Sequence, residues 1–208
     1  MTASPDPADN VTDLQAGQSA RVNQLHFRNV DAVCWADFAG LFEERGGPKS
    51  CWCMVWRASP AEGKRKDGSS RRAQIKSRVD SGIPIGLIGY MGDQPVAWCS
   101  IAPRETYRPL GGLAADPATE RIWSLACLFI KRDHRGKGLT AELIAAAIAH
   151  AKAHKATIVE AYPVDADSPS YRFMGFVDAF ASAGFQEVGR AGQRRHVMRL
   201  SLSDPAAV

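Results

Sequence analysis

Residues 121–154, RIWSLACLFIKRDHRGKGLTAELIAAAIAHAKAH, contain the pattern that decides the fold. The first part of this segment is mostly apolar and includes β-branched and aromatic side chains, which predicts a buried strand over 121–130. Charged residues then form a turn, and from residue 138 to about 154 the apolar side chains recur at helical spacing. The sequence therefore predicts a buried strand, a charged turn and an amphipathic helix in direct succession.

The turn between the predicted strand and helix reads Arg135-Gly-Lys-Gly138-Leu-Thr140. The first N–H groups of a helix have no partner within the helix, and they lie at the positive end of its dipole. The two glycines let the backbone approach a ligand closely, and Arg135 and Lys137 add positive charge. These features predict a site for phosphate groups at the start of the helix, although a tight turn that binds nothing has the same composition.

Two other phosphate-binding motifs match this turn only in part. A P-loop requires glycine, four residues and then Gly-Lys-Ser/Thr, but Gly138 is not followed by lysine, and Asp133 stands where the first glycine belongs. The stretch from Gly136 to Ala141 matches the dinucleotide fingerprint G-x-G-x-x-A, with Glu160 where a ribose-binding acid belongs. The long charged turn before the first glycine and the short chain after Glu160 argue against that motif, which is kept as an alternative.

The remainder of the chain predicts an α/β protein, a mixed sheet with helices on both faces. A hairpin is indicated by the strand-like segments 83–91 and 95–103, with turn-forming residues at 92–94. Further strands are predicted at 22–29, 157–162, 185–189 and 196–202. Helices are predicted from Asp31 to about Glu44, from a serine at 69 or 70 to Gly82, and around 173–183. Segment 50–56 is a strand or a tight buried segment, and 105–119 is a long loop.

The length and composition fit one globular domain over residues 21–202. The chain has 208 residues, of which 45% are hydrophobic and 23% are charged, as is usual for a soluble α/β protein. Residues 1–20 offer little to bury and are expected to form a disordered tail, and 203–208 form a short tail at the other end. No apolar run spans a membrane, no secretory signal is present, and the five cysteines are unevenly spaced, so we expect a reduced, cytoplasmic protein.

The charge of the chain is mildly basic. A net charge of +4 is too small to indicate a nucleic-acid partner. The basic residues nevertheless cluster between Lys64 and Arg78. Such a run is usually a solvated face of a loop and a helix, and the alternative is a lid that attracts an anionic cofactor.

The segment Arg135-x-x-Gly138-x-Thr140, between a strand and an amphipathic helix, resembles the acetyl-CoA signature of the GCN5-related N-acetyltransferase (GNAT) family. The pair Gly184-Phe185 resembles that family's closing helix-to-strand element, and the order of elements is similar over most of the chain. Thr140 stands where the signature usually has glycine or alanine, and its small side chain suits the same place. The resemblance implies a mostly antiparallel central sheet that splays between the fourth and fifth strands, with helices on both faces.

The resemblance also implies acetyl-CoA as the cofactor, with its pantetheine in the gap between the splayed strands. Carried over by position, the contacts are Leu128, Phe129 and Ile130 for pantetheine, the amides of Gly136, Lys137, Gly138, Leu139 and Thr140 for pyrophosphate, and Arg135 and Lys137 near the phosphates. A backbone N–H near Phe129 or Ile130 is expected to stabilise the negative charge that develops on the acetyl carbonyl.

The proton-transfer groups depart from the family's pattern. The strand position that often carries a glutamate falls at Ser124 to Cys127, where there is no carboxylate, and the usual tyrosine is replaced by Phe180. For direct attack by an amine, the catalytic candidates are therefore Tyr171, Cys127 and Ser124. The plain alternatives are that Tyr171 packs under a loop and that Cys127 is a buried, inert thiol.

The sequence Cys51-Trp-Cys-Met-Val-Trp-Arg57 falls among the early elements that wall the acceptor site in the resemblance. Trp52 and Trp56 are expected to form an aromatic wall, Arg57 to grip a carboxylate through two hydrogen bonds, and Glu105 to lie in the nearby loop. Core packing of these side chains is the alternative. The second cysteine pair of a zinc site is missing, so no metal is expected.

Together these features predict an acetyl-CoA-dependent N-acetyltransferase that acts by direct attack on an amine of a small molecule or peptide. A non-catalytic acyl-CoA-binding module is the main alternative, because both usual proton-transfer groups are missing. An acetyltransferase toxin acting on aminoacyl-tRNA and a dinucleotide-binding protein are further alternatives. A monomer or homodimer is expected, without membrane or nucleic-acid partners.

Overall fold

The computed structural model describes residues 25–202, so the expected tails at 1–20 and 203–208 and the start of the first expected strand lie outside the described residues. Within 25–202, seven strands form one sheet in the order β1-β2-β3-β4-β5-β7-β6. Their bounds are β1 His26–Asn29, β2 Leu87–Met91, β3 Gln94–Pro103, β4 Ile122–Ile130, β5 Ile158–Ala161, β6 Gln186–Ala191 and β7 Arg195–Ser201. Neighbouring strands are antiparallel except β4 and β5, which are parallel. This mixed sheet confirms the predicted fold class, whereas a dinucleotide-binding fold requires a mainly parallel sheet.

Helices cover both faces of the sheet. Their bounds are α1 Trp35–Glu43, α2 Gly68–Asp80, α3 Leu139–Ala153 and α4 Val177–Ser182. On one face, Leu143 and Ile144 of α3 and Phe180 of α4 belong to a single apolar cluster with strand residues. On the other face, Phe38 of α1 and Ile75 of α2 belong to a second cluster. None of the helices between residues 25 and 202 has the length and apolar character needed to cross a lipid bilayer.

The starts of three helices differ from the sequence prediction, and the helix expected around 173–183 begins only at Val177, after a short 3-10 turn over Arg172–Met174. α1 begins at Trp35 rather than just after Asp31, because the Asp31 carboxylate accepts the N–H of Cys34 at 2.9 Å in a turn that precedes the helix. α2 is capped not by a serine but by Asp67, whose carboxylate accepts the N–H of Ser70 at 2.8 Å. At the starts of α1 and α2, an aspartate satisfies N–H groups at the entry to a helix.

Segment 50–56 forms a turn and a short 3-10 helix over Met54–Trp56 instead of a strand. Trp52 and Cys53 have φ angles of 48° and 52°, a left-handed backbone that interrupts an extended chain. Trp52 is only 2% exposed and stacks on Phe42 with 5.3 Å between ring centroids. The apolar sequence of this segment therefore reflects packing of a compact turn against α1.

The C-terminal end of α3 contains a histidine whose titration is coupled to folding. The His150 ring lies 5.2 Å from that of Trp123 and 4.3 Å from that of His154, measured between centroids. Burial, and secondarily the charge of His154, lower the pKa of His150 from 6.5 to about 4. The unfolded chain therefore binds this proton first, so the free energy of unfolding falls as the pH drops from 6.5 to about 4.

We expect His150→Gln to remove part of this pH dependence. Because His150 is partly exposed, its contribution is about 1–2 kcal/mol, less than the full pKa shift implies. Urea unfolding near neutral pH and again near the lower end of the titration measures it. The wild-type protein should lose more free energy of unfolding between the two conditions than the variant, and equal losses would contradict the assignment.

Candidate active site

The gap that the resemblance implied lies between β4 and β5. β4 has nine residues and β5 has four, and the two strands pair only over 122–125 and 158–161. Over Ala126–Ile130 the edge of β4 that faces β5 has no strand partner among the described residues. The sheet therefore opens along the second half of β4, where an extended ligand can pair with the free edge.

The N–H groups in this half of β4 alternate between β3 and the gap. Lys131 donates its N–H to the carbonyl of Val96 in β3 at 2.9 Å, so by alternation the N–H of Phe129 also faces β3. The N–H groups of Leu128 and Ile130 then face the gap. Of the two N–H groups predicted to meet the acetyl carbonyl, the geometry favours Ile130, while that of Phe129 is directed into the sheet.

The start of α3 lies directly beyond the open end of β4. Gly136 and Gly138 have φ angles of 74° and 78°, and a Cβ at either position would meet no atom within 4 Å, so the outer side of the turn is open. Among residues 25–202, the N–H groups of residues 136–140 have no hydrogen-bond acceptor, whereas Ala141 donates to the Gly138 carbonyl at 3.0 Å. Open space and free N–H groups at a helix start fit the diphosphate of a coenzyme.

The side chains of the turn have separate roles. Arg135 donates from Nε to the Ile130 carbonyl at 2.9 Å and so holds the turn against the end of β4. Leu139 is 3% exposed and anchors the helix start in the core, while Lys137 is exposed and Thr140 half-buried. The structure thus brings the predicted phosphate-binding residues together, and their contacts with a coenzyme stay a prediction.

A small cavity lies where β4 begins to separate from β5. Its lining includes Cys51, Trp56, Tyr107, Ala126, Cys127 and Phe173. Ala126 is an extra residue in β4, because Ser100 of β3 pairs with Cys127 while the next residue of β3 pairs with Leu125. Such a bulge interrupts the ladder locally, and this one marks the inner end of the gap.

Arg57 lies beside this cavity with its guanidinium buried. It is 4% exposed and donates to Ser100 Oγ at 3.0 Å, to the Tyr107 hydroxyl at 2.6 Å, to Thr106 Oγ1 at 3.2 Å and to the Ile85 carbonyl at 2.8 Å. Burial lowers the pKa of Arg57 and raises the pKa of Tyr107 to about 12. The expected two-bond grip of Arg57 on a carboxylate does not fit this geometry, because the protein already uses those N–H groups.

The two tryptophans of the motif have different environments. Trp52 belongs to the aromatic core under α1, so burial removes it from the expected wall of the acceptor site. Trp56 lines the cavity, and its Nε1 is buried without an acceptor among the described residues. The Arg195 guanidinium lies 4.6 Å from the Trp56 ring, and the Tyr171 ring lies 6.3 Å from it. Trp56 and Tyr171 therefore form the aromatic side of the site.

Ser124 is fully buried in a network that the sequence reasoning missed. Its Oγ lies 3.3 Å from the Tyr162 hydroxyl, which donates to Glu160 at 2.5 Å. Glu160 is also fully buried, accepts from Arg199 Nε at 2.7 Å and lies 3.5 Å from Arg104. Burial, and then the Glu160 carboxylate, raise the pKa of Tyr162, which keeps its proton. Because Ser124 is enclosed in this network, the structure does not support the predicted catalytic role for it.

Of the other predicted residues, Cys127 lines the cavity, whereas Tyr171 and Glu105 lie outside its lining. Tyr171 has a left-handed backbone with φ 61° and is 37% exposed. The proximity of Cys127, and then burial, raise the pKa of Cys53 well above its usual range, and Cys53 Sγ accepts from Trp98 Nε1 at 3.0 Å. Glu105 is exposed in the loop after β3. In the described part of the chain, no group of three or more His, Cys, Asp or Glu side chains is arranged to hold a metal ion.

Comparisons with known proteins agree with this geometry. The profile of the acetyltransferase (GNAT) family matches residues 50–176. Among solved structures, yncA from Salmonella typhimurium, determined with its cofactor acetyl-CoA, is 18% identical with a TM-score of 0.53, and the match covers 89% of this chain and 98% of that one. A ribosomal-protein-alanine N-acetyltransferase from Brucella melitensis is 18% identical with a TM-score of 0.54, covering 86% and 100%.

A third structure, an uncharacterized protein from Bacillus halodurans, is 14% identical with a TM-score of 0.57, covering 85% of this chain and 83% of that one. No curated protein matches the sequence. At these identities the solved structures show a common fold, while the family match extends over more than half of the chain. The chain belongs to the acetyltransferase (GNAT) family.

Proposed function

We propose that this protein is an acetyl-CoA-dependent N-acetyltransferase that transfers the acetyl group directly to an amine of a small molecule or peptide. The observation that carries the proposal is the row of free N–H groups at residues 136–140, placed at the open end of β4. The solved relatives support it, since yncA was determined with acetyl-CoA and the Brucella protein is an N-acetyltransferase. These relatives share no stated acceptor, so the acceptor has to be inferred from this chain's own residues.

β4 and the turn that follows it bind different parts of acetyl-CoA. When bound, acetyl-CoA supplies an acetyl thioester in the gap beside this strand. The N–H groups at residues 136–140 hold the diphosphate, and one of the gap-facing N–H groups of β4, at Leu128 or Ile130, stabilises negative charge on the acetyl carbonyl oxygen, while the other is free to pair with pantetheine. We place the acceptor amine at the inner end of the gap, next to Ala126 and the small cavity that Trp56 and Tyr107 line.

Binding and turnover test the proposal separately. Millimolar acetyl-CoA is expected to raise the melting temperature, whereas NAD is not, because only a ligand of the native state stabilises it. A panel of amines is then expected to release the free thiol of coenzyme A above the background rate. Stabilisation without turnover on any amine would favour the acyl-CoA-binding module, for which the replacement of the usual tyrosine by the buried Phe180 is the motivating observation. No stabilisation by acetyl-CoA would remove both functions.

Direct transfer predicts that Cys127 is dispensable. Cys127→Ala is expected to keep kcat within about threefold of wild-type, because direct attack has no covalent step that requires a thiol. Initial-rate kinetics should show that both substrates bind before either product leaves. A loss of more than roughly a hundredfold, together with ping-pong kinetics, would make Cys127 an acyl carrier and contradict direct transfer.

Tyr171 is the group that we place as proton donor to the leaving thiolate. It is exposed beside Trp56, whereas the Tyr107 hydroxyl is held by Arg57 and Ser100. Tyr171→Phe is expected to lower kcat by about a hundredfold with little change in acetyl-CoA affinity. Tyr107→Phe removes the hydroxyl of the tyrosine that lines the small cavity and should lower kcat much less. The reverse order of effects would assign the role to Tyr107.

A further inference from the structure

A basic cleft lies beside the loop that follows β3, outside the coenzyme site. It is open, has a volume of about 910 Å³ and is formed by residues from 57–66 and 105–109. Its charged lining consists of four basic residues and one acid, namely Arg57, Lys64, Lys66, Arg108 and Glu105. We propose that this cleft binds a carboxylate or phosphate group carried by the acceptor amine. The proposal rests on the proposed acetyltransferase function and defines the class of acceptor.

The protein does not neutralise the basic side chains of the cleft. Within residues 25–202, no ion pair is formed by Arg57, Lys64, Lys66 or Arg108. Three basic residues of α2 differ in this respect, since the pairs are Arg72 with Glu43, Lys76 with Asp80, and Arg78 with Glu62. Three of the four basic residues of α2 are thus paired with carboxylates, and the fourth, Arg71, donates to the Ser50 carbonyl, whereas none of the four basic residues of the cleft has a carboxylate partner in the described part of the chain.

Arg57 gives the strongest indication of an anionic ligand. It is 4% exposed, its hydrogen-bond partners are all uncharged, and its Nε is buried without an acceptor among the described residues. By contrast, Arg199 and Arg78 have side chains that are 13% and 17% exposed, and each pairs with a glutamate. A buried cation without a counter-ion is strongly disfavoured. An anion bound in the cleft supplies the missing counter-charge. Thr106 and Tyr107 lie between the cleft and Arg57, which donates hydrogen bonds to both of their hydroxyl groups.

The cleft is separate from the predicted phosphate site of the coenzyme. Thr106 and Tyr107 follow the end of β3 that pairs with the start of β4, whereas Arg135–Thr140 follow the other end of β4. At about 3.3 Å per residue, the paired part of β4 separates these ends by ~23 Å. Tyr107 lines both the cleft and the small cavity beside Ala126. An acceptor anchored in the cleft by its anionic end thus lies on the side of the sheet end where β4 and β5 begin to separate, next to Tyr107.

Matched amines test the proposal by activity. The pairs are 4-aminobutyrate with butylamine, and phosphoethanolamine with ethanolamine, so that a carboxylate or a phosphate is present in only one member. We expect kcat/KM to be at least about tenfold higher for the anionic member, mainly through KM. Lys64→Ala/Lys66→Ala should remove most of this preference. Lys152→Ala/Lys155→Ala removes the same charge from exposed residues at the end of α3, on the other face of the sheet, and should keep it.

A binding measurement makes the test independent of turnover. Coenzyme A is added to saturation so that it fills the phosphate turn, and inorganic phosphate is then titrated at constant ionic strength while the melting temperature is followed. Phosphate is expected to stabilise the wild-type protein and the variant at Lys152 and Lys155, and not the variant at Lys64 and Lys66. The proposal is supported if, in either measurement, the variant at Lys64 and Lys66 loses an effect that the variant at Lys152 and Lys155 keeps. It is overturned if neither measurement shows such a difference.

The outcomes distinguish this proposal from the proposed function. Turnover without any preference for anionic amines, and without phosphate binding, removes the cleft and leaves the acetyltransferase intact. Phosphate binding in the cleft without turnover on any amine supports the cleft and counts against the acetyltransferase. Binding of RNA with a steep salt dependence, in place of the small anions, would overturn the proposal in favour of a polynucleotide partner.

Discussion

Replacing Gly138 with valine is expected to raise the dissociation constant for acetyl-CoA by at least roughly a hundredfold, equivalent to about 2.7 kcal/mol. Gly138 has a φ of 78°, a backbone conformation that β-branched residues avoid. Valine therefore forces the turn to change shape, and the N–H groups of residues 136–140 lose their common direction toward the ligand. Isothermal titration calorimetry with acetyl-CoA measures the effect.

Gly192, in the turn between β6 and β7, provides the matched control. Its φ is 75°, and a Cβ there would also meet no atom within 4 Å. Gly192→Val therefore introduces a similar backbone strain, about 1–2 kcal/mol, at a turn that has no part in the phosphate site. Its affinity for acetyl-CoA should equal that of the wild-type protein. If the variants at Gly138 and Gly192 bind acetyl-CoA equally well, the role assigned to the turn is wrong.

Glu160→Gln is expected to lower the free energy of unfolding by about 3–5 kcal/mol. Glu160 has no exposed surface and accepts from both Arg199 and the Tyr162 hydroxyl. A neutral amide of the same shape removes the nearer of the two carboxylates that pair with Arg199, leaves only Glu120 at 3.7 Å, and places a second donor group against Arg199 or the Tyr162 hydroxyl where β4 and β5 separate. Denaturant unfolding followed by circular dichroism measures the loss.

An exposed ion pair gives the reference for this effect. Glu43 and Arg72 are paired at 2.7 Å, but their side chains are 52% and 44% exposed. Glu43→Gln should therefore lower the free energy of unfolding by less than about 1 kcal/mol. Similar losses of free energy of unfolding in the variants at Glu43 and Glu160 would contradict the view that the buried Glu160 carboxylate stabilises the sheet where β4 and β5 separate.

The strand, turn and helix around Arg135–Thr140 could be predicted because each has a local signal. An apolar run, two glycines and a helical stripe suffice to place β4 and α3, and the observed bounds, Ile122–Ile130 and Leu139–Ala153, follow the prediction closely. The opening between β4 and β5 was predicted from the family resemblance alone. Strand lengths did not indicate it, since the sequence does not show how far two distant segments stay paired.

The environment of individual side chains was harder to predict, because it depends on contacts between distant segments. Trp52 and Trp56 are near neighbours in sequence, yet a left-handed turn at Trp52 places one in the core and leaves the other at the cavity. The link from Ser124 to Glu160 through Tyr162 exists only because β4 and β5 run side by side. The sequence could indicate only the contact between Glu160 and Tyr162, because residues two apart in a strand lie on the same face of the sheet.

The basic run between Lys64 and Arg78 shows the same dependence on tertiary contacts. The sequence offered a solvated face or a lid as two interpretations of one cluster. In the structure, Arg78 pairs with Glu62, while Lys64 and Lys66 line a cleft with Arg57 at its buried side. A single run of like charges therefore includes residues with different environments, which no count of charges along the sequence distinguishes.

Amide NMR during a titration with coenzyme A tests the central claim most directly. Isotope-labelled protein is titrated to saturation, and the chemical shift and hydrogen exchange of each backbone amide are followed. We predict that the largest shift changes and the strongest slowing of exchange occur at residues 136–140, with further changes at Leu128 and Ile130. Saturation with coenzyme A that leaves the amides of residues 136–140 unchanged, while another surface responds, would contradict the role of this turn as the diphosphate site.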